Sequence, residues 1–248
     1  MRILTLVFSS FLLLLTAPLT CANDEITKEL MKSGGQPRVY YLYVPSNIQP
    51  SNTVPLVVML HAMNRTGSSL VEKWKDLARK EGFIIAGPDA TNVKGGWTAP
   101  QDGPEFLRDL VEELKTKYPI NQRRVYLFGH SNGATFALEM SLLESQYFAA
   151  TAVHAGAIMD EDKSWVELAK RKIPMFIQVG EYDEYFPVKV VRETRDILKA
   201  SGFPIELTEI KDHDHWYYDK APKINQTAWD FLKKYTLDAD PVYRKFNF

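Results

Sequence analysis

The residues best suited to covalent chemistry lie in Gly129-His130-Ser131-Asn132-Gly133, a G-x-S-x-G match. Val125-Tyr126-Leu127-Phe128 leads into it, and Ala134, Phe136, Ala137, Leu138 and Met140 follow at helical spacing. The first run reads as a buried strand and the second as a helix. A serine on a tight strand-to-helix turn projects its hydroxyl from the carboxyl end of a sheet, with the helix N-terminus beneath it. Gly129 and Gly133 remove the side chains that would block such a turn. A serine hydroxyl is a weak nucleophile until a neighbouring base takes its proton. Ser131 is therefore a candidate nucleophile for acyl transfer, and the rest of the chain must supply a base, an orienting acid and donors for an oxyanion.

Two further segments carry suitable groups. Gly180-Glu181-Tyr182-Asp183-Glu184 follows the apolar run Pro174 to Val179, and an acid just beyond a buried strand can orient a histidine and stabilise its cation. Asp183 could equally be a turn or helix-cap residue, and Glu181 and Glu184 compete with it. Lys211-Asp212-His213-Asp214-His215-Trp216 holds two of the five histidines of the chain. Its imidazoles and carboxylates could ligate a metal, but no second cluster completes a coordination shell, so the reading is no metal and no cofactor. His61, His130 and His154 read as structural residues, His61 as the organiser of the loop that follows its strand.

Elements of the right kind surround these segments. Strands are expected at Arg38–Pro45, Leu56–Leu60, Phe83–Pro88, Val125–Phe128, Phe148–His154, Pro174–Gly180 and Ile205–Ile210. Helices are expected at about 68–80, 104–117, 134–140, 188–201 and 224–235, and the polar stretch Asn23 to Gly35 reads as a short helix and a turn. Alternating strands and helices of this length define an α/β fold with a mostly parallel central sheet and helices on both faces. Residues 1–22, with Arg2 before an apolar stretch and small residues to Ala22, read as a signal peptide. Cys21 offers a minor alternative, a lipid anchor. Residues 23–248 read as a single domain. A net charge of −1 gives no electrostatic footprint for nucleic acid or an anionic membrane, and the apolar stretch is short for a membrane span.

The stretches Leu56–His61, Trp74–Asp89 and Asn121–Gly133, with the Asp183 and His215 loops, resemble the α/β-hydrolases. Within them the chain is similar to the secreted polyhydroxybutyrate depolymerase and feruloyl esterase group, from about Arg38 to Tyr235. The order Ser131, Asp183, His215 matches the order of nucleophile, acid and base in these enzymes. The resemblance implies hydrolysis of a carboxylic ester with Ser131 as nucleophile, His215 as general base and Asp183 as its orienting acid. His215 is favoured over His213 because the histidine of the family tends to precede an aromatic residue, here Trp216.

The chain departs from the family where His61-Ala62 replaces the usual His-Gly, which puts the shape of the oxyanion loop in question. The backbone N–H groups of Met63 and Asn132 are the expected oxyanion donors, with Ala62 the alternative to Met63. Trp97, Tyr182 and Trp216 lie in loops on the expected catalytic face and are candidates for an aromatic substrate pocket. The expected partner is a small-molecule ester. A serine peptidase on the same fold would use the same residues, and a non-catalytic binding protein would lack one of them. Asn64-Arg65-Thr66 and Asn225-Gln226-Thr227 match the glycosylation sequon.

Overall fold

The computed structural model describes residues 24–99 and 101–246; the expected signal peptide and Cys21 lie outside them. The strands are β1 (Ile26–Ser33), β2 (Gln36–Tyr43), β3 (Val54–Leu60), β4 (Ile84–Pro88), β5 (Ile120–His130), β6 (Ala150–His154), β7 (Met175–Gly180) and β8 (Ile205–Ile210). They form one sheet in the order β1-β2-β4-β3-β5-β6-β7-β8. The pairs β1/β2 and β2/β4 are antiparallel, and all the others are parallel.

The central strands are apolar throughout because both faces are covered. In β3, Leu56, Val58 and Leu60 join one core while Val57 and Met59 join the other. The first core is closed by α2 (Pro104–Lys117), α3 (Asn132–Leu143) and α4 (Val188–Ala200), the second by α1 (Ser68–Glu81) and α5 (Tyr217–Leu232). Helix α1 is amphipathic, burying Leu70, Val71, Trp74 and Ala78 on one stripe. Helix α3 differs: ten of its residues are buried, around its whole circumference. A helix apolar on all sides is one enclosed by protein, and here it lies directly behind Ser131.

The largest departures from the sequence expectation lie at β1, β5 and α5. Residues 26–33 form an edge strand rather than a short helix, because Gly34 and Gly35 both take positive φ (56° and 76°) and close a two-residue hairpin pairing Ser33 with Gln36. Strand β5 starts at Ile120, since Val54 pairs with Ile120 before the ladder shifts register at Leu56. Helix α5 starts at Tyr217, seven residues before the expected Ile224. Pro222 lies inside the helix, and Tyr217, Ala221, Ile224 and Ala228 keep helical spacing across it and are all buried. A 3-10 segment at Asp160–Leu168 was not expected. Asn225 is buried, bonded to the Tyr217 hydroxyl and the Lys73 carbonyl, so that sequon presents no accessible amide.

The loop after β4 is pinned by a buried ion pair. The Arg38 guanidinium on β2 meets Asp102 at 2.6 Å, donates to the carbonyls of Asp89 and Gln101 and lies 3.5 Å over the Phe106 ring. Asp102 also accepts from the Thr91 N–H and hydroxyl and from the Thr98 N–H. Removing one partner of such a pair strands the other charge in low dielectric. Asp102→Ala is expected to lower unfolding free energy by about 3–5 kcal/mol in urea titration. An unchanged midpoint would show that this loop is held by something else.

Candidate active site

Ser131 joins β5 to α3 at φ 58°, ψ −126°, a backbone conformation rare outside glycine. Its flanking glycines explain how the turn closes. A Cβ on Gly129 would stand 2.2 Å from the Gly133 carbonyl oxygen, and one on Gly133 would stand 2.1 Å from that of Leu60. Helix α3 thus approaches β5 and β3 backbone to backbone, and the serine takes the strain. The Ser131 N–H donates to the His154 carbonyl at 3.1 Å, and the Ser131 carbonyl accepts from Ala134 and Thr135.

The sequence-expected partners come together on this serine. His215 Nε2 is 2.9 Å from Ser131 Oγ. His215 Nδ1 is 2.9 Å from Asp183 Oδ2 and 3.1 Å from Oδ1. Asp183, just past β7, is buried, and its Oδ1 also accepts the N–H groups of Tyr185 and Phe186. Glu181 and Glu184 are both exposed, and Glu181 accepts the Asp212 N–H at a long 3.4 Å. Phe186 stacks on the His215 ring at 6.0 Å and Tyr185 tilts against it at 4.7 Å. With Asp183 holding Nδ1–H, Nε2 faces the hydroxyl as a bare acceptor, the tautomer needed to take a proton from serine.

The loop expected to supply oxyanion donors is shaped by His61. Its Nε2 accepts the Ala90 N–H at 3.0 Å, which leaves the proton on Nδ1 to donate to the Ala62 carbonyl at 2.8 Å. In a trans peptide the carbonyl and the following N–H point in opposite directions. Turning the Ala62 carbonyl toward His61 therefore turns the Met63 N–H away from it. Neither Met63 N–H nor Asn132 N–H donates to an acceptor among the described residues, as oxyanion donors should not before substrate arrives. Asn132 Oδ1 accepts the Trp97 N–H at 2.6 Å, and the Trp97 indole N–H donates to the His61 carbonyl at 2.8 Å. Trp97 is buried and stacks on Phe136 at 5.2 Å. It braces the loop from below instead of lining an open pocket.

Tyr182 and Trp216 are exposed and border a cleft of about 280 Å³ with Asp212, His213, Asp214, Asp219 and Lys220. Met63 and Tyr185 are exposed as well, and the Arg65 guanidinium lies 5.2 Å from both the Trp216 and the Tyr218 ring. His213 is not solvated. It is buried, with Nε2 3.1 Å from His154 Nε2, while His154 Nδ1 is 3.1 Å from His130 Nδ1. Burial, then the proximity of His215, pushes His130 down to about 3. Burial likewise holds His61, His154 and His213 below the ordinary imidazole value. Sequence reasoning takes His130 and His154 as structural but has no means of linking them to His213; their shared position at strand ends is the only signal.

Residues 103–236 match the sequence family described as Phospholipase/Carboxylesterase. A bifunctional acetylxylan esterase/xylanase of Neocallimastix patriciarum is 27% identical over 236 residues, covering 82% of this chain and 34% of that protein. An acetylxylan esterase A of Aspergillus ficuum is 26% identical over 127 residues, covering 47% of this chain and 41% of that one. The chain thus spans well under half the length of these curated relatives. A ferulic acid esterase structure from Anaeromyces mucronatus superposes with a TM-score of 0.65 at 18% identity, covering 89% of this chain and 93% of that one, which supports the fold.

The buried titratable groups give stability a defined pH dependence. Below about pH 6.5 the unfolded chain binds protons that the four buried histidines refuse, so acid removes up to about 1.4 kcal/mol per pH unit for each. Burial raises Glu139 and Glu144 to about 8, so between about pH 4.5 and 8 rising pH costs stability through these two. The four histidines outweigh the two glutamates on the acid side, and the glutamates act alone above neutrality. Urea midpoints are expected to peak between about pH 6 and 7 and to fall on both sides. A flat profile from pH 5 to 8 would show that these groups ionise freely in the folded state.

Proposed function

The chain belongs to the phospholipase/carboxylesterase family, and we propose that it is an exported serine esterase working through an acyl-enzyme on Ser131. The observation that carries this reading is the His215 ring, 2.9 Å from Ser131 Oγ through one nitrogen and 2.9 Å from Asp183 through the other. In the first step His215 takes the hydroxyl proton as Oγ attacks the ester carbonyl. Asp183 stabilises the imidazolium, and the Met63 and Asn132 N–H groups receive the oxyanion. His215 then protonates the departing alcohol. In the second step it activates water, which releases the acid and restores the serine.

The exposed rings of Tyr182, Tyr185 and Trp216 offer flat apolar faces suited to a sugar or aryl ring. With acetylxylan esterases among its relatives, the substrate is read as an acetyl or hydroxycinnamoyl ester of a carbohydrate alcohol. No step calls for a cofactor. Residues 1–22 act as the export signal in this reading, and 23–248 form one hydrolase domain.

Ser131→Ala is expected to abolish labelling by a fluorophosphonate probe and to lower kcat on p-nitrophenyl acetate by about 10⁴-fold or more. Asp183→Asn should keep the fold and lose activity on the same order. Folded wild-type protein that neither labels nor hydrolyses acetyl or feruloyl esters would sink the proposal.

A further inference from the structure

Three histidines lie in a row beneath the Ser131–His215 pair. His130 closes β5 and directly precedes Ser131, and His154 closes β6 abreast of it in the parallel ladder. His213 sits in the loop after β8, two residues before His215. Both ring-to-ring contacts are 3.1 Å, and all three side chains are at most 4% exposed. The Tyr217 ring packs on His130 at 5.2 Å and on His154 at 5.8 Å.

The middle ring must bond on both edges. A neutral imidazole has one N–H and one bare nitrogen, so His154 can donate to one neighbour and accept from the other. Its main chain is engaged as well, because the His154 carbonyl accepts the Ser131 N–H at 3.1 Å. One residue therefore touches the nucleophile through its backbone and the loop of the base through its side chain. The loop needs such a fixed point. Towards β7 it is tied by the Tyr182 N–H to the His213 carbonyl at 2.8 Å, the Asp212 N–H to Glu181 at 3.4 Å and the His215–Asp183 pair. Towards β6, which bonds the Ser131 turn, its tie is the His213 ring on His154, and Asp212 adopts a positive φ of 51°.

We propose that His154 is a positioning residue, whose two ring hydrogen bonds hold the loop carrying His215 in register with the turn carrying Ser131. The inference rests on the reading of Ser131 and His215 as nucleophile and base. His154 touches neither substrate nor reacting atoms. Its effect is on the 2.9 Å approach of His215 Nε2 to Ser131 Oγ, and misplacing reacting groups by about 1 Å can cost about 100-fold in rate.

The test compares His154→Phe, His154→Gln, His213→Phe and the double variant His154→Phe with His213→Phe on p-nitrophenyl acetate. His154→Phe keeps an aromatic ring, slightly larger, and loses both bonds; kcat should fall about 10- to 100-fold with KM within about twofold. A carboxamide supplies one donor and one acceptor, so His154→Gln should recover kcat to within about threefold of wild type. His213→Phe should match His154→Phe, and the double variant should lose no more than either single one, because both break the same link.

Wild-type kcat in His154→Phe, equal losses in the Phe and Gln variants, or losses that multiply in the double variant would each overturn the proposal. If a Phe variant does not fold, His154→Gln and His213→Gln carry the comparison, with kcat near wild type expected and a loss equal to that of Ser131→Ala overturning it. Ser131→Ala run in parallel separates the two failures: retained activity there sinks the reading of the site. The histidine link is then decided by imidazole ¹⁵N shifts at pH 7. One protonated and one bare nitrogen on His154 support it, and a doubly protonated ring overturns it.

Discussion

The strained turn at Ser131 is the constraint on which the rest of the structure depends. A non-glycine residue at φ 58°, ψ −126° costs on the order of 1–3 kcal/mol, and it persists only where its surroundings leave no alternative. Here the surroundings are backbone. Gly129 packs on the Gly133 carbonyl and Gly133 on that of Leu60, so α3 starts at backbone distance from both β5 and β3. That approach puts α3 inside the protein, which is why it is buried around its whole circumference and mostly apolar. It also leaves the Asn132 N–H at the first turn of the helix without an acceptor among the described residues. Strain, burial and an unfilled donor have one cause.

What the sequence shows and what it hides follow from how far a signal extends along the chain. The Ser131 turn is legible because a glycine–serine–glycine spacing coincides with a switch from strand to helix periodicity within about a dozen residues. The central strands are legible because burial on both faces leaves unbroken apolar runs such as Leu56–Leu60. Asp183 and His215 can be picked out as strand-end residues, but only the resemblance to the family separates them from Glu181 and His213, in the second case through the aromatic Trp216 that follows His215. Edge strand β1 is poorly legible: it is half exposed, so its composition is polar, and Gly34-Gly35 is its one local mark. The inward turn of His213 has no local mark at all. Lys211-Asp212-His213-Asp214 has the composition of a solvated loop, and the partner that draws the ring in is 59 positions away.

All five histidines serve this one end of the sheet, but through different hydrogen-bonding states. His215 presents a bare Nε2 to the serine because Asp183 claims its Nδ1–H. His61 is fixed in the Nδ1–H form because its Nε2 already accepts the Ala90 N–H. His130, His154 and His213 satisfy one another. A hydroxyl, amide or carboxylate could not take the middle of that row on equal terms: an amide comes close, while a carboxylate only accepts and would bury a charge.

Keeping these rings neutral matters for the chemistry proposed at Ser131. The step that generates positive charge is the transfer of the serine proton to His215, and Asp183 is the buried anion placed to compensate it. His130 lies 5.1 Å from the His215 ring. A cation there would repel the forming imidazolium and oppose that transfer, in an interior where such repulsion is weakly screened. The depressed pKa of His130 is therefore compatible with its place in a way that an exposed histidine's would not be. Burial supplies the neutrality, the neighbouring rings supply the hydrogen bonds that burial takes away, and the same hydrogen bonds tie the two loops of the site together.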